Sequence, residues 1–286
     1  MSDFALSPSL TPLRGLETQS AVPIAASPGP LRGTVTLTLQ TLYAQRAVLG
    51  RAASPERAGY MGLYAFAHRA RHVWLGASLA DPYADWWLVK IEQVLSSAEQ
   101  NLLEVYQSVT AALNSLDGLV VVPASSLSPI ALELNFSTPH AFRAAQLTGR
   151  YDKVVRAILT ARHVACLPPP AAVKALWSAG RSLRRVFDSV RGYVRTPVVR
   201  ADFVTLNAAA HLAIQRMGDL PPEILSDTLK ADYRPPRERA PLAEPVAGES
   251  TPTGSETATL LLARSEELIE PHCAFEDDLA ALFPES

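Results

Sequence analysis

Cysteine is scarce in this chain: 286 residues include two, Cys166 and Cys273. Two thiols cannot make a disulfide framework, so the fold must rest on a hydrophobic core, and a reducing cytoplasmic compartment is expected. Long apolar runs are missing too; no stretch reaches the roughly 18 residues that span a bilayer, which argues against a membrane protein. The opening residues, MSDFALSPSLTPLRG, have neither the basic start nor the apolar core of a secretory signal. Catalytic signatures are equally thin. There is no Gly-rich phosphate loop followed by Lys, no G-x-G-x-x-G, no G-x-S-x-G and no carboxylate cluster at metal-ligand spacing. These absences weigh against an enzyme and call for no metal and no cofactor.

What is present is a core and a separation of charge. Hydrophobic residues make up 48% of the chain and charged ones 19%, enough apolar surface for a sizeable globular domain. The net charge of −2 conceals three blocks: residues 1–139 are near balance, 140–239 hold 17 basic against 8 acidic residues, and 240–286 hold 1 against 10. A basic block followed by an acidic tail bears on partners rather than on fold. Residues 1–32 are Pro-rich and without period, and 235–257 are rich in Pro, Glu and Thr. Such segments bury too little to offset the entropy of ordering. The expected organisation is a disordered head (1–32), a single folded domain (33–233), and a Pro-rich linker with an acidic tail (234–286).

Within the domain, GTVTLTLQ (33–40), LVVVP (119–123) and IALELNF (130–136) read as strands. The rest is helical, giving an α+β fold that is mostly α. Asp81-Pro82 opens the longest helix, to about 116, with an N-cap and a proline at the first helical position. Its stripe of Leu88, Ile91, Leu95, Ala98, Leu102, Val105, Val109, Ala112 and Leu116 has coiled-coil-like 3–4 spacing. Thr138-Pro139 caps a helix to about 165, with Gly149 a point of interruption. Further helices are expected over 171–195, 200–217 and from Pro222.

The 171–195 segment is the most informative. On a helical wheel Lys174, Arg181, Arg184, Arg185, Arg191 and Arg195 fall within an arc of about 120°, with Trp177 among them and the apolar residues opposite. Planar guanidiniums suit phosphate, and an indole can stack on a base; a merely solvated charged face is the plainer reading. In DPYADWW, capping and the helix dipole explain Asp81 and Asp85, while Tyr83, Trp86 and Trp87 fit either a core or a docking surface. His68 and His72 share a helical face, but a metallopeptidase would need Glu where Arg69 stands. His163 and Cys166 have no second pair to complete zinc. In the tail, Phe275, Leu279, Leu282 and Phe283 follow i, i+4, i+7, i+8 spacing, the pattern of a segment that orders on a partner surface.

Several stretches in order resemble an uncharacterised family encoded by bacterial integrating conjugative elements: RGTVTLTLQTLYAQRAVLGR (32–51), DPYADWWLVKIE (81–92), LELNFSTPHAFRAAQLTGRYDKVVRAILTARHV (132–164), GRSLRRVF (180–187) and VRADFVTLNAAAHLAIQRMGDLPPEIL (199–225). The resemblance covers about residues 32–233 and supplies no catalytic residues. It implies a cytoplasmic, non-enzymatic accessory protein acting in maintenance, regulation or transfer of the element. With the basic arc, it points to sequence-tolerant binding of single- or double-stranded DNA. The competing reading is an adaptor that docks other element-encoded proteins without touching DNA; a third is a DNA-processing enzyme whose carboxylates gather only in space.

Overall fold

Alternating small and β-branched residues shape β1 (Val35–Leu39), which pairs antiparallel with β2 (Ile130–Leu134), Val35 opposite Leu134 and Leu39 opposite Ile130. The computed structural model describes residues 33–55 and 58–237; the expectations for the head and for Phe275, Leu279, Leu282 and Phe283 lie outside them. Among the described residues these two strands form the one sheet. The third expected strand, 119–123, is irregular chain with Val120 and Val122 largely exposed. It has no ladder partner among the described residues. Instead, Ala124 N–H donates to Thr160 Oγ1 and Arg156 Nε donates to the Ala124 carbonyl, which ties the segment to a helix surface.

Eight helices follow among the described residues: α1 (Leu42–Leu49), α2 (Leu63–Ser78), α3 (Pro82–Asn114), α4 (Pro139–His163), α5 (Pro169–Asp188), α6 (Arg200–Thr205), α7 (Ala208–Met217) and α8 (Pro222–Leu225). The fold is α+β and mostly α. The expected caps are in place: Asp81 accepts from the Tyr83 N–H at 2.9 Å, and Thr138 accepts from Ala141 N–H. α3 is about 50 Å long at 1.5 Å per residue and packs against α2, α4 and α5. Leu88, Ile91, Leu95, Ala98, Leu102 and Val109 of its seam are buried, Val105 and Ala112 half-buried. Leu116 falls beyond the helix, and Leu113 takes the last buried place.

Gly149 does not interrupt α4. A Cβ there would lie 3.4 Å from Leu37 Cδ1, an ordinary contact, so the helix runs through this position while packing on β1. Asp152 of the same helix accepts from the Gln40 and Thr41 N–H groups and from the Thr41 hydroxyl, fixing the β1–α1 junction on α4. The single helix expected over 200–217 is two. Leu206 turns left-handed at φ 47, and Asn207 starts α7 by accepting from the Ala210 N–H.

Ordered structure continues past residue 233. Glu92 of α3 accepts from the Asp232 and Tyr233 N–H groups at 2.7 and 2.9 Å and pairs with His140 of α4 at 3.0 Å. Asp85 faces Arg200, Arg234 and Arg237 at 2.6, 3.2 and 3.3 Å, and Asp227 meets the same three arginines and Lys230. Residues 230–237 thus form a strap across α3. Burial pushes the Asp85 carboxyl up, against the pull of Arg200 and Arg234 toward the ionised form.

Candidate nucleic-acid interface

α5 begins after Pro168 with prolines in its first turn, where a missing N–H costs nothing. Ala172, Leu176, Ala179, Leu183, Val186 and Phe187 form its buried side, and Phe187 meets Phe66 of α2 with ring centroids 5.8 Å apart. One edge is fastened to α3: Ser178 and Ser182 donate to Asn101 Oδ1 at 3.4 and 2.9 Å. The outer side carries Lys174, Trp177, Arg181 and Arg185, all exposed. Trp177 is 69% exposed, unusual for so large a ring. Lys174, Arg181 and Arg185 have no ion-pair partner among the described residues.

The other three cations of the expected arc are placed differently. Arg184 is half-buried, its guanidinium 5.9 Å from the Tyr60 ring centroid. The helix ends at Asp188, not near 195, so Arg191 and Arg195 lie off it. Gly192 takes φ +85° and turns the chain away, and two distant contacts hold the turn: Trp87 Nε1 donates to the Arg191 carbonyl at 3.3 Å, and the Tyr193 hydroxyl donates to Asp81 Oδ2 at 2.9 Å. Arg191 is exposed and paired with Asp188 at 2.8 Å, a surface pair worth little.

Arg195 reaches a second basic region, one that the helical wheel of a single segment does not show. Arg69 and Arg71 are exposed on α2 beside His68 and His72, whose rings lie 4.7 Å apart. Partial burial lowers the His72 pKa, and His68, Arg71, Arg69 and Arg195 lower it further, all favouring the neutral imidazole. The signal was in H-R-A-R-H itself, where the arginines weigh against a metal but equally toward an anion.

Tyr83 and Trp87 are core residues, which corrects the docking reading of DPYADWW. Tyr83 is fully buried, with its hydroxyl donating to the Gly218 carbonyl at 2.6 Å; Trp87 is 6% exposed. Trp86 is half-buried, and the Lys90 ammonium lies 3.2 and 3.7 Å from the Trp86 and Trp87 ring centroids. Burial depresses the Lys90 pKa to about 8. These rings were indistinguishable from a docking surface in sequence because both uses want clustered aromatics on a helix start.

Among the described residues no group of three His, Cys, Asp or Glu could hold a metal ion, and no helix is long and apolar enough to cross a membrane. The family model described as transcriptional regulator AcaB matches residues 27–237. The chain belongs to the AcaB family of transcriptional regulators. Among solved structures it is similar to selenomethionine-containing AcaB from uropathogenic E. coli, at 15% identity and a TM-score of 0.46. That match covers 68% of this chain and 95% of the other. No curated protein matches the chain. The family match ends at residue 237, the last residue of the strap over Asp85.

Proposed function

We propose that this AcaB-family chain regulates transcription by binding DNA through its phosphates, without catalysis. The binding surface is the outer side of α5, with Lys174, Arg181 and Arg185 meeting backbone phosphates and Trp177 lying against sugar or base. Arg69 and Arg71 on the neighbouring α2, together with Arg195, extend the positive surface. The observation that carries this reading is three exposed cations on one helix side with no carboxylate among the described residues to neutralise them. Guanidinium and ammonium groups bind phosphate irrespective of sequence, so this surface supplies affinity more than specificity. The sequence resemblance adds a setting on an integrating conjugative element, in its maintenance, regulation or transfer.

Reversing Lys174, Arg181 and Arg185 to Glu tests the proposal. All three are exposed, so the variant should keep the wild-type melting temperature. Binding to duplex DNA should weaken, and the slope of log affinity against log salt should flatten by about 0.9 for each phosphate that is no longer neutralised. Unchanged affinity in the folded variant would remove α5 from the interface. Adaptor function remains the second reading because Val204, Leu206 and Leu212 around α6 and α7 are 86%, 53% and 46% exposed. A protein partner would cover that apolar group.

A further inference from the structure

After its first turn α5 exposes four side chains, three cations and one indole: Lys174, Trp177, Arg181 and Arg185. Steps of three, four and four residues keep them in one line along the helix, over about 17 Å at 1.5 Å per residue. Trp177 thus has a cation about one turn away on either side. Nothing in the stripe is suited to reading the edge of a base. The helix contains no Asn, Gln or Glu; its one acid, Asp188, pairs with Arg191, and the hydroxyls of Ser178 and Ser182 are engaged by Asn101.

Trp177 also differs from the other indoles of the chain. Trp74 lies 5.9 Å from the His140 ring, and Trp86 and Trp87 lie 5.4 Å from each other under the Lys90 ammonium. Trp177 meets neither a ring nor a cation among the described residues, so its face is free for a flat partner. In a duplex both faces of every base are covered by its neighbours in the stack. An indole on this helix side could then touch only sugars and base edges, and inserting it would require the bases to unstack. An unpaired strand offers the free face of a base together with the phosphates on either side of it, which is what an aromatic between cations recognises.

We propose that α5 binds single-stranded DNA in preference to duplex, with one unpaired base stacked on Trp177 and its flanking phosphates on Lys174 and Arg181. Arg185 meets the next phosphate along the strand. Every base has a π-face, so the contact tolerates any sequence. The inference rests on the DNA reading of α5 and narrows its substrate to an opened strand.

Fluorescence anisotropy with the full chain and three labelled probes tests the proposal: a thymidine homopolymer strand, a hairpin duplex with the same number of phosphates, and a strand of abasic sites. At one salt concentration the thymidine strand should bind more tightly than either of the others. Trp177→Ala, on an exposed side chain, should keep the melting temperature and weaken binding of the thymidine strand about tenfold, the order expected for one lost base–ring stack. Affinities for the duplex and the abasic strand should hardly change. The salt slope on the thymidine strand should also stay as it was, because an indole neutralises no phosphate. Trp177→Phe should recover most of the loss, which a purely structural defect would not allow. Undiminished binding of the thymidine strand by Trp177→Ala, equal losses on all three probes, or a wild-type preference for the duplex would overturn the proposal while leaving the phosphate contacts of α5 in place. Failure of every probe to bind would overturn the DNA reading itself, and this inference with it.

Discussion

Glu92 shows how one side chain can hold two distant parts of the chain. Burial pushes its carboxyl up, yet the donors from His140, Tyr233 and Asp232 together outweigh burial and hold it below the ordinary carboxylate value. A depressed carboxylate contributes stability above its unfolded pKa, roughly 4.3, and that stability is lost as pH falls through the lower folded value. Glu92→Gln should therefore destabilise the protein near neutrality, by about 1.5–3 kcal/mol for a missing charged hydrogen bond. The gap between variant and wild type should shrink below about pH 4. Denaturant titrations of both proteins at neutral and acid pH check this; a gap independent of pH would mean that the charge of Glu92 is not what holds the strap. Asp85 makes the complementary case. Asp85→Asn leaves Arg200, Arg234 and Arg237 facing Asp227 alone, and losing the charged hydrogen bonds to Asp85 should cost about 1.5–3 kcal/mol, measurable by equilibrium unfolding.

Among the elements, α3 was the most legible and α5 the most misleading, for a common reason. Local rules mark where a helix starts: Asp81-Pro82 and Thr138-Pro139 each satisfy an orphan N–H within three residues, so the start is written beside itself. The end of α5 is less plainly marked. Apolar spacing continues through Val190 and Val194, yet Val190 is 2% exposed and Val194 49%: Gly192 lies between them at positive φ, a local stop that the apolar spacing masked, and Trp87, about a hundred residues away, holds the turn. The valines of 119–123 failed as a strand for lack of a neighbour, which composition cannot reveal. Asn207 was a readable N-cap inside the expected 200–217 helix. For the basic arc, residue types and helix face were legible, whereas pairing was not: Arg184 lies against Tyr60, far upstream in sequence. The seam of α3 gives a direct test. Leu102, 1% exposed, should cost about 2–5 kcal/mol as Leu102→Ala. Gln100→Ala, on the exposed side, should stay within about 0.5 kcal/mol. If the two variants melt alike, the core does not depend on the seam.

Across the whole molecule, charge is sorted by depth. The carboxylates Asp81, Asp85, Glu92 and Asp152 are buried at junctions, whereas many cations of the basic block remain at the surface. The surface cations are exposed to counterions, so raising salt should weaken DNA binding long before it loosens the strap. Reversing Arg69, Arg71 and Arg195 to Glu distinguishes one basic surface from two. Weaker binding and a flatter salt slope, with an unchanged melting temperature, would place α2 and Arg195 in the same interface as α5. An unaltered slope, measured by fluorescence anisotropy across a salt series, would confine binding to α5.

The strap also sets an order of events during synthesis. Its hydrogen bonds to Glu92 and Asp85 span 140 to 152 residues of sequence. On a chain that grows from its N-terminus, α3 emerges with two acidic groups facing what will become the interior. Glu92 gains His140 when α4 packs and Asp85 gains Arg200 when α6 arrives, but both lack their strap partners until the end, and closure must wait until Arg237 has left the ribosome. A ribosome stalled before that point should carry a helical bundle open to protease along one side of α3, and a few further residues should seal it.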